Sequence, residues 1–190
     1  MKFYLISIIT IMLLSAGTVT AQHTNIGVKG GFSSYNLETD NGSNFDPRIG
    51  LYAGLLGHIH INDQYAFQPE IYYSMQGAES GDISVRLDYI NVPLLVQYMF
   101  DSGFRIQAGP QLGVLLNAKG ENGSSVDIKD DFKAIDLGLS IGASYVHLST
   151  GFGIDARFNL GLTDISESSN LSSTNNGVQI GIFYLFGHRD

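Results

Sequence analysis

Apolar and polar residues alternate along most of the chain after residue 22. In the segment 152–162, Phe152, Ile154 and Phe158 share one face, whereas Asp155 and Arg157 share the other. Successive side chains of a β-strand point to opposite sides of the sheet, so a period of two indicates a strand with one apolar and one polar face. Apolar residues at helical spacing are hard to find in the same region, which predicts an all-β fold.

Eight segments follow this alternation or a weaker form of it, and we predict that each is a strand. They are residues 25–35, 49–61, 65–76, 85–100, 104–117, 135–145, 152–162 and 177–186. Two of them depart from strict alternation. Leu115 falls on the polar face of the fifth segment, and Arg86 and Asp88 fall on the apolar face of the fourth. We therefore expect a β-bulge in the fourth strand near Pro93, because a proline lacks the N–H that a regular ladder needs.

The connections between these segments alternate in length. Short turns are predicted near residues 62–63, 101–102 and 149–150, and longer loops rich in Gly, Asn, Ser and Asp at about 36–48, 77–84, 118–131 and 163–176. Short turns on one rim and long loops on the other are typical of bacterial outer-membrane barrels. The sequence thus predicts an eight-stranded antiparallel up-and-down transmembrane β-barrel.

Alternation alone does not say which face points outward, since a soluble lipocalin-like carrier and a membrane barrel have opposite arrangements. The polar face carries Gly, Ser, Asn and Gln but few lysines, which suits a narrow interior better than a solvated surface. Its charges are of both signs and must pair if they point inward, because an unpaired buried charge is very costly. The candidate polar network of the lumen consists of Lys29, Glu70, Arg105, Asp136, Asp155 and Arg157.

Two further features fit a membrane barrel. Aromatic residues near the predicted strand ends are candidates for the girdles at the membrane interfaces: Tyr35, Tyr65, Phe100, Phe104, Tyr145, Phe152, Tyr184 and Phe186. Eight strands also leave an interior that side chains fill, so we expect no open pore.

The first residues predict export. Lys2 is followed by an apolar run from Phe3 to Leu14 and then by small and polar residues ending at Ala21. This layout is typical of a secretory signal peptide, and the apolar run is shorter than a membrane-spanning helix. We predict a signal peptide at residues 1–21, a barrel domain at residues 22–190, and insertion into the outer membrane of a Gram-negative bacterium. The net charge of −8 and the lack of a basic patch argue against a nucleic-acid partner.

Seven stretches resemble the PorT-like outer-membrane β-barrel family and keep its motif order. They are residues 27–33, 68–74, 88–95, 108–113, 136–139, 157–165 and 183–186, which together sample nearly all of the predicted mature chain. The resemblance implies an outer-membrane barrel. The namesake of the family is implicated in a machinery that exports proteins across the outer membrane, so the resemblance also implies a role in secretion or envelope organisation, with partners that contact the long loops.

The sequence offers no strong catalytic, cofactor or metal site, and we predict that the protein is not an enzyme. His58 and His60 lie two residues apart near a short turn, but no base, nucleophile or further ligand accompanies them. The acidic residues of the predicted loops lack the spacing of a calcium loop and indicate a solvated rim. A soluble periplasmic carrier of an apolar ligand and an outer-membrane lipid-modifying enzyme remain as alternatives.

Overall fold

The computed structural model describes residues 24–40, 45–81, 83–168 and 172–187. The predicted signal peptide at residues 1–21 lies outside the described residues. No helix in the described ranges is long and apolar enough to cross a membrane. Within these ranges a single 3-10 turn, Lys129–Asp131, accompanies the strands.

The described residues form β1 (Thr24–Thr39), β2 (Asp46–His60), β3 (Tyr65–Ser80), β4 (Ile83–Met99), β5 (Phe104–Glu121), β6 (Ser125–Asp127), β7 (Ile135–Val146), β8 (Phe152–Gly161) and β9 (Ser173–Leu185). Every pairing between neighbouring strands is antiparallel, and β9 pairs with β1 to close the sheet. Among the described residues, β6 is a short strand whose pairing is confined to the end of β5, so the closed barrel has eight strands. The predicted fold is confirmed.

The barrel is apolar outside and polar inside. On β8 the outward Ile154 is 60% exposed, whereas the inward Arg157 is 2% exposed, and on β9 Ile182 and Gln179 are 62% and 0% exposed. A water-soluble barrel requires the opposite arrangement, so this surface fits lipid. The same inversion disfavours the soluble carrier, because such a protein needs an apolar lumen.

Two predictions about the strands were wrong in detail. The loops are shorter than predicted: residues 36–39 and 46–48 belong to β1 and β2, and residues 77–80 and 83–84 belong to β3 and β4. These residues are polar because the ladder continues beyond the apolar outer band, and polar composition there resembles that of a loop.

The second error concerns the bulge, which does not lie near Pro93. The β4–β5 register is constant through Pro93 and shifts between Asp88 and Tyr89, where Asp88 pairs with Asn117 and Tyr89 pairs with Leu115. Leu116 is therefore the extra residue, and the bulge lies on β5. Arg86 and Asp88 keep the outward alternation of β4, and charged residues are accommodated there because both lie at the loop end of the strand. At this end Arg86 Nη1 forms an ion pair with Glu121 Oε1 at 2.9 Å.

Apolar clusters close the lumen at both ends. At the loop end lie seven buried residues, which we call the upper plug: Leu37, Ala78, Leu87, Tyr89, Leu115, Ala118 and Ile165. At the turn end Leu56, Val146, Phe183 and Leu185 form the lower plug. Leu115, the apparent exception on β5, keeps the regular inward alternation of that strand and is apolar because it belongs to the upper plug and not to the polar interior.

The aromatic residues assigned to the girdles divide into two groups. Tyr65, Phe100, Phe104, Tyr145, Phe152, Tyr184 and Phe186 lie at the turn end, where six of them are 42–58% exposed and the rings contact one another, as Phe152 and Tyr184 do at 4.7 Å. Tyr35 is not a girdle residue, because it is 1% exposed and points into the lumen. Its ring packs over Gly177 on β9, where a Cβ would come within 2.3 Å of it.

Candidate functional site: the lumen network and the loop cap

A bidentate ion pair crosses the lumen. Arg157 on β8 donates from Nη1 and Nη2 to Oε2 and Oε1 of Glu70 on β3, both at 2.8 Å. Around the closed barrel β8 and β3 are four strands apart in either direction, so the two residues come from opposite walls. Both side chains are fully shielded from solvent. Paired hydrogen bonds between a guanidinium and a carboxylate fix both distance and orientation, so this bridge braces the barrel across its diameter.

Two further charges complete a neutral cluster. Lys29 on β1 donates from Nζ to Glu70 Oε2 at 3.2 Å and to Asp155 Oδ2 at 3.1 Å. Asp155 also accepts a hydrogen bond from the hydroxyl of Tyr52 at 3.2 Å. Two positive and two negative groups cancel, which is the condition under which buried charges are tolerated. The ammonium of Lys29 lies 5.4 Å and 5.7 Å from the ring centroids of Tyr52 and Tyr72, within the range of cation–π attraction.

Neutral side chains extend the network around the wall. The hydroxyl of Tyr72 donates to Gln111 at 2.7 Å, and Ser140 lies within hydrogen-bond distance of both Gln111 and Asn159. Asn159 in turn donates to the hydroxyl of Tyr35 at 2.8 Å. This chain joins β3, β5, β7, β8 and β1, so the polar interior connects most of the barrel strands.

The structure brings together four of the six predicted lumen residues, namely Lys29, Glu70, Asp155 and Arg157. Arg105 and Asp136 also point inward, at 3% and 9% exposure, but lie at different heights. Arg105 is near the turn end of β5 and forms no ion pair within the described part of the chain. Asp136 is at the loop end of β7, where it accepts a hydrogen bond from Thr163 at 3.1 Å.

Besides the neutral side chains on the wall, sequence reasoning missed three residues that contact the charged cluster directly. Gln68 donates to Glu70 at 2.7 Å, and Tyr52 and Tyr72 flank Lys29. Tyr72 and Gln68 are each two positions from Glu70, so the parity of β3 places all three on the same face. The aromatic character of Tyr52 and Tyr72 conceals this, since tyrosine favours strands on either face.

At the loop end, two connections are joined into one unit, which we call the loop cap: residues 128–133 and 162–168. Lys133 N–H donates to the carbonyl of Ile165 at 2.8 Å, and Glu167 N–H donates to that of Asp131 at 3.0 Å. Phe132 and Ser166 form an antiparallel bridge. Ile165 of the cap points inward, is fully buried and belongs to the upper plug. The cap is therefore ordered by backbone hydrogen bonds and anchored in the lumen.

Asp164 is the main polar support of the loop cap. Its Oδ2 accepts from Lys133 Nζ at 2.6 Å, and its Oδ1 accepts from the backbone N–H groups of Ser166 and Ser173 at 3.0 Å and 2.9 Å. The hydrogen bond from Lys133, followed by those from Ser173 and Ser166, lowers the pKa of this carboxyl to about 2.

The described residues contain no group of three or more metal-ligating side chains. His58 is fully buried near the turn end, and its ring lies edge-on to that of His60 with 4.6 Å between centroids. The pair is thus at the opposite end of the barrel from the loop cap. The acidic loop residues are likewise dispersed, with Asp164 already engaged by Lys133.

The profile of the family described as "Outer membrane protein beta-barrel domain" matches residues 20–167. The chain belongs to this family. As a member of the outer membrane protein beta-barrel domain family, it is an outer-membrane protein, in agreement with its inverted barrel. Among curated proteins, the comparison found no match.

Solved outer-membrane barrels share the fold of this family member. Neisserial surface protein A (NspA) is 15% identical, with a TM-score of 0.62 over 86% of this chain and 99% of that one. Ail, the attachment invasion locus protein of Yersinia pestis, is 16% identical, with a TM-score of 0.54 over 88% of this chain and 100% of that one. A second structure of Ail, in complex with the heparin analogue sucrose octasulfate, matches with the same TM-score. At these identities the likeness establishes the fold alone.

We predict that Arg157→Gln lowers the free energy of unfolding by about 3–5 kcal/mol, because it leaves the carboxylate of Glu70 buried without its principal partner. Arg105→Gln is the matched control: it removes the same charge from the lumen wall but breaks no ion pair, and we expect a loss below about 1 kcal/mol. Urea titration of the protein folded in lipid vesicles measures both. Equal effects of the two substitutions would contradict the bracing role.

We predict that the carboxyl of Asp164 titrates near pH 2 in the folded protein and that Lys133→Met raises this midpoint toward the ordinary value of about 3.9. Because the folded pKa is depressed, the ionised carboxylate stabilises the loop cap at and above pH 4, and this contribution disappears as the pH falls toward 2. Carbon-13 NMR of the Asp164 carboxyl follows the titration. Lys129→Met is the control and should leave the midpoint unchanged; a midpoint near 3.9 in the unmodified protein contradicts the prediction.

Proposed function

We propose that this protein is a closed, non-conducting outer-membrane barrel that acts without catalysis, by presenting its loop cap to other components of the envelope. The closure of the lumen is the observation that carries this proposal. The upper and lower plugs fill both ends, and the Arg157–Glu70 bridge occupies the middle. A barrel without a passage leaves only its outer surface for function, which consists of the lipid-facing band and the connections at the two rims.

The two rims differ in what they offer to a partner. The connections at the turn end are tight, whereas the loop end carries the loop cap and the β5–β6 hairpin. Val126 on this hairpin is 58% exposed although it lies beyond the barrel wall, where lipid contact does not account for an apolar residue. Long loops of outer-membrane barrels face the exterior of the cell. The proposed contact surface is therefore the exterior rim.

The resemblance to the PorT-like family favours partners that take part in protein secretion or envelope organisation. Ordered loops are suited to such contacts, because a surface that is rigid before binding loses less conformational entropy in the complex. His58 and His60 lie at the turn end, far from the loop cap, and this position supports a non-catalytic role for the loop rim.

We predict that the purified protein adds no steady conductance to a planar lipid bilayer. The reason is steric, since apolar residues close both ends of the lumen and exclude hydrated ions. A general porin incorporated by the same procedure is the positive control. Reproducible channels of uniform size from the unmodified protein would contradict the closed lumen and with it the proposed function.

We predict that a photo-crosslinking amino acid in place of Val126 forms protein adducts in growing cells, whereas one in place of Ile154 is cross-linked to lipid. The two positions are matched, being apolar and 58% and 60% exposed, and differ in facing the exterior rim and the membrane. Mass spectrometry identifies the adducts. Adducts with lipid alone at both positions, or with protein at neither, would argue against the interaction role.

A further inference from the structure

A cavity of about 490 Å³ lies between the barrel rim and the loop cap. Its apolar lining comes from Leu37 on β1, Phe45, Val85 on β4, and Ile128 and Phe132 on the loop cap. Leu37 belongs to the upper plug, and the other four pack against the plug while remaining partly exposed. The volume is within the range of roughly 300–1,000 Å³ typical of small-molecule sites. Because removing apolar surface from water is favourable, a ligand that covers the exposed apolar lining lowers the free energy of the system.

The walls of this cavity are ordered by contacts that do not involve a ligand. The Phe132–Ser166 bridge joins the two halves of the loop cap at the cavity, and both residues line it. The hydrogen bonds of Asp164 to Lys133 and Ser173 hold the same segments. A cavity with a preformed shape binds ligands at a lower entropic cost than one that must assemble around them.

The charge at the mouth of the cavity is negative. Asp131 and Glu167 are the charged residues among its described lining, both are exposed, and the hydrogen bond from Glu167 N–H to the Asp131 carbonyl places them together. Neither carboxylate forms an ion pair within the part of the chain that the structure describes. The two nearby lysines are engaged elsewhere: Lys133 by Asp164, and Lys129 by the carbonyl of Leu116 at 2.8 Å.

We propose that this cavity binds small hydrophobic cations, that is, aryl- or alkylammonium compounds. The apolar body of such a ligand covers the exposed parts of Phe45 and Phe132, and its ammonium group lies at the mouth beside Asp131 and Glu167. A neutral ligand of the same shape gains only the apolar contact, and an anionic ligand is repelled by the two carboxylates. The site therefore selects ligands by charge as well as by shape.

This inference goes beyond the proposed interaction role and does not depend on it, because a small ligand can occupy the cavity whether or not a protein partner contacts the exterior rim. The test uses the full barrel in phosphatidylcholine nanodiscs, whose zwitterionic surface does not attract the probes by net charge. The probes are 1-naphthylmethylammonium, neutral 1-naphthalenemethanol and anionic 1-naphthoate. The chain contains no Trp, so the barrel itself adds no tryptophan emission to the naphthyl signal, and empty nanodiscs correct for the scaffold protein and for partition into lipid.

We expect saturable binding of the cation, weaker binding of the neutral probe and the weakest binding of the anion. The double substitution Asp131→Asn and Glu167→Gln should lower the affinity for the cationic probe by about three- to tenfold and leave the affinity for the neutral probe unchanged. Asp130→Asn is the matched control, since Asp130 is exposed on the same 3-10 turn but does not line the cavity. Phe132→Ala should lower the affinities for the cationic and the neutral probe alike, by about tenfold.

Three results would overturn the proposal: equal affinity for the three probes, binding no greater than that of empty nanodiscs, or equal effects of the Asp130 and the Asp131/Glu167 substitutions. If Phe132→Ala does not fold, as judged by heat-dependent gel mobility, Glu167→Lys decides, because this residue is exposed and its replacement leaves the plug intact. Glu167→Lys should lower the affinity for the cationic probe and raise the affinity for the anionic probe. Failure of probe binding with protein adducts still formed at Val126 would reject the cavity site and retain the proposed function.

Discussion

The bidentate bridge between Arg157 and Glu70 is the constraint on which the rest of the interior depends. It joins walls that are four strands apart, so it limits the separation of β3 and β8 directly, whereas backbone ladders constrain only neighbouring strands. Lys29 and Asp155 supply further charged partners to this bridge. Arg157 and Glu70 alone leave lone pairs and donors unsatisfied, and the added pair supplies partners without adding net charge.

The two apolar plugs give this bridge its environment. They lie above and below the polar layer and shield it from both aqueous compartments, so the charges interact in a medium less polarisable than water. In such a medium a paired charge is held strongly and an unpaired one is costly. The four-residue ion cluster therefore lies between two apolar clusters, while Arg105 and His58 near the turn end and Asp136 at the loop end add buried polar groups outside it.

The sequence predicted the face on which each residue lies much better than its height along the barrel axis. Parity alone places Lys29, Glu70, Arg105, Asp136, Asp155 and Arg157 inward, and all six are buried. Parity carries no information about the stagger between strands, however, and this stagger sets Arg105 at the turn end and Asp136 at the loop end, out of reach of the central cluster. The position of the bulge was missed for a related reason. Pro93 is an obvious irregularity in the sequence, whereas the extra residue at Leu116 becomes visible only in the pairing of β4 with β5.

The loop cap could not be predicted at all, because its contacts join segments that are each irregular and are separated by the whole of β7 and β8. Asp164 and Lys133 carry no sequence signal of pairing, and a conventional interpretation assigns both to a solvated rim. The cap nevertheless has its own hydrogen bonds and is anchored through Ile165 to the upper plug and not to the ion cluster. The bracing of the barrel and the shape of the exterior rim therefore rest on different residues. This separation allows the exterior surface to change its charge and contacts while the interior that holds the barrel closed remains the same.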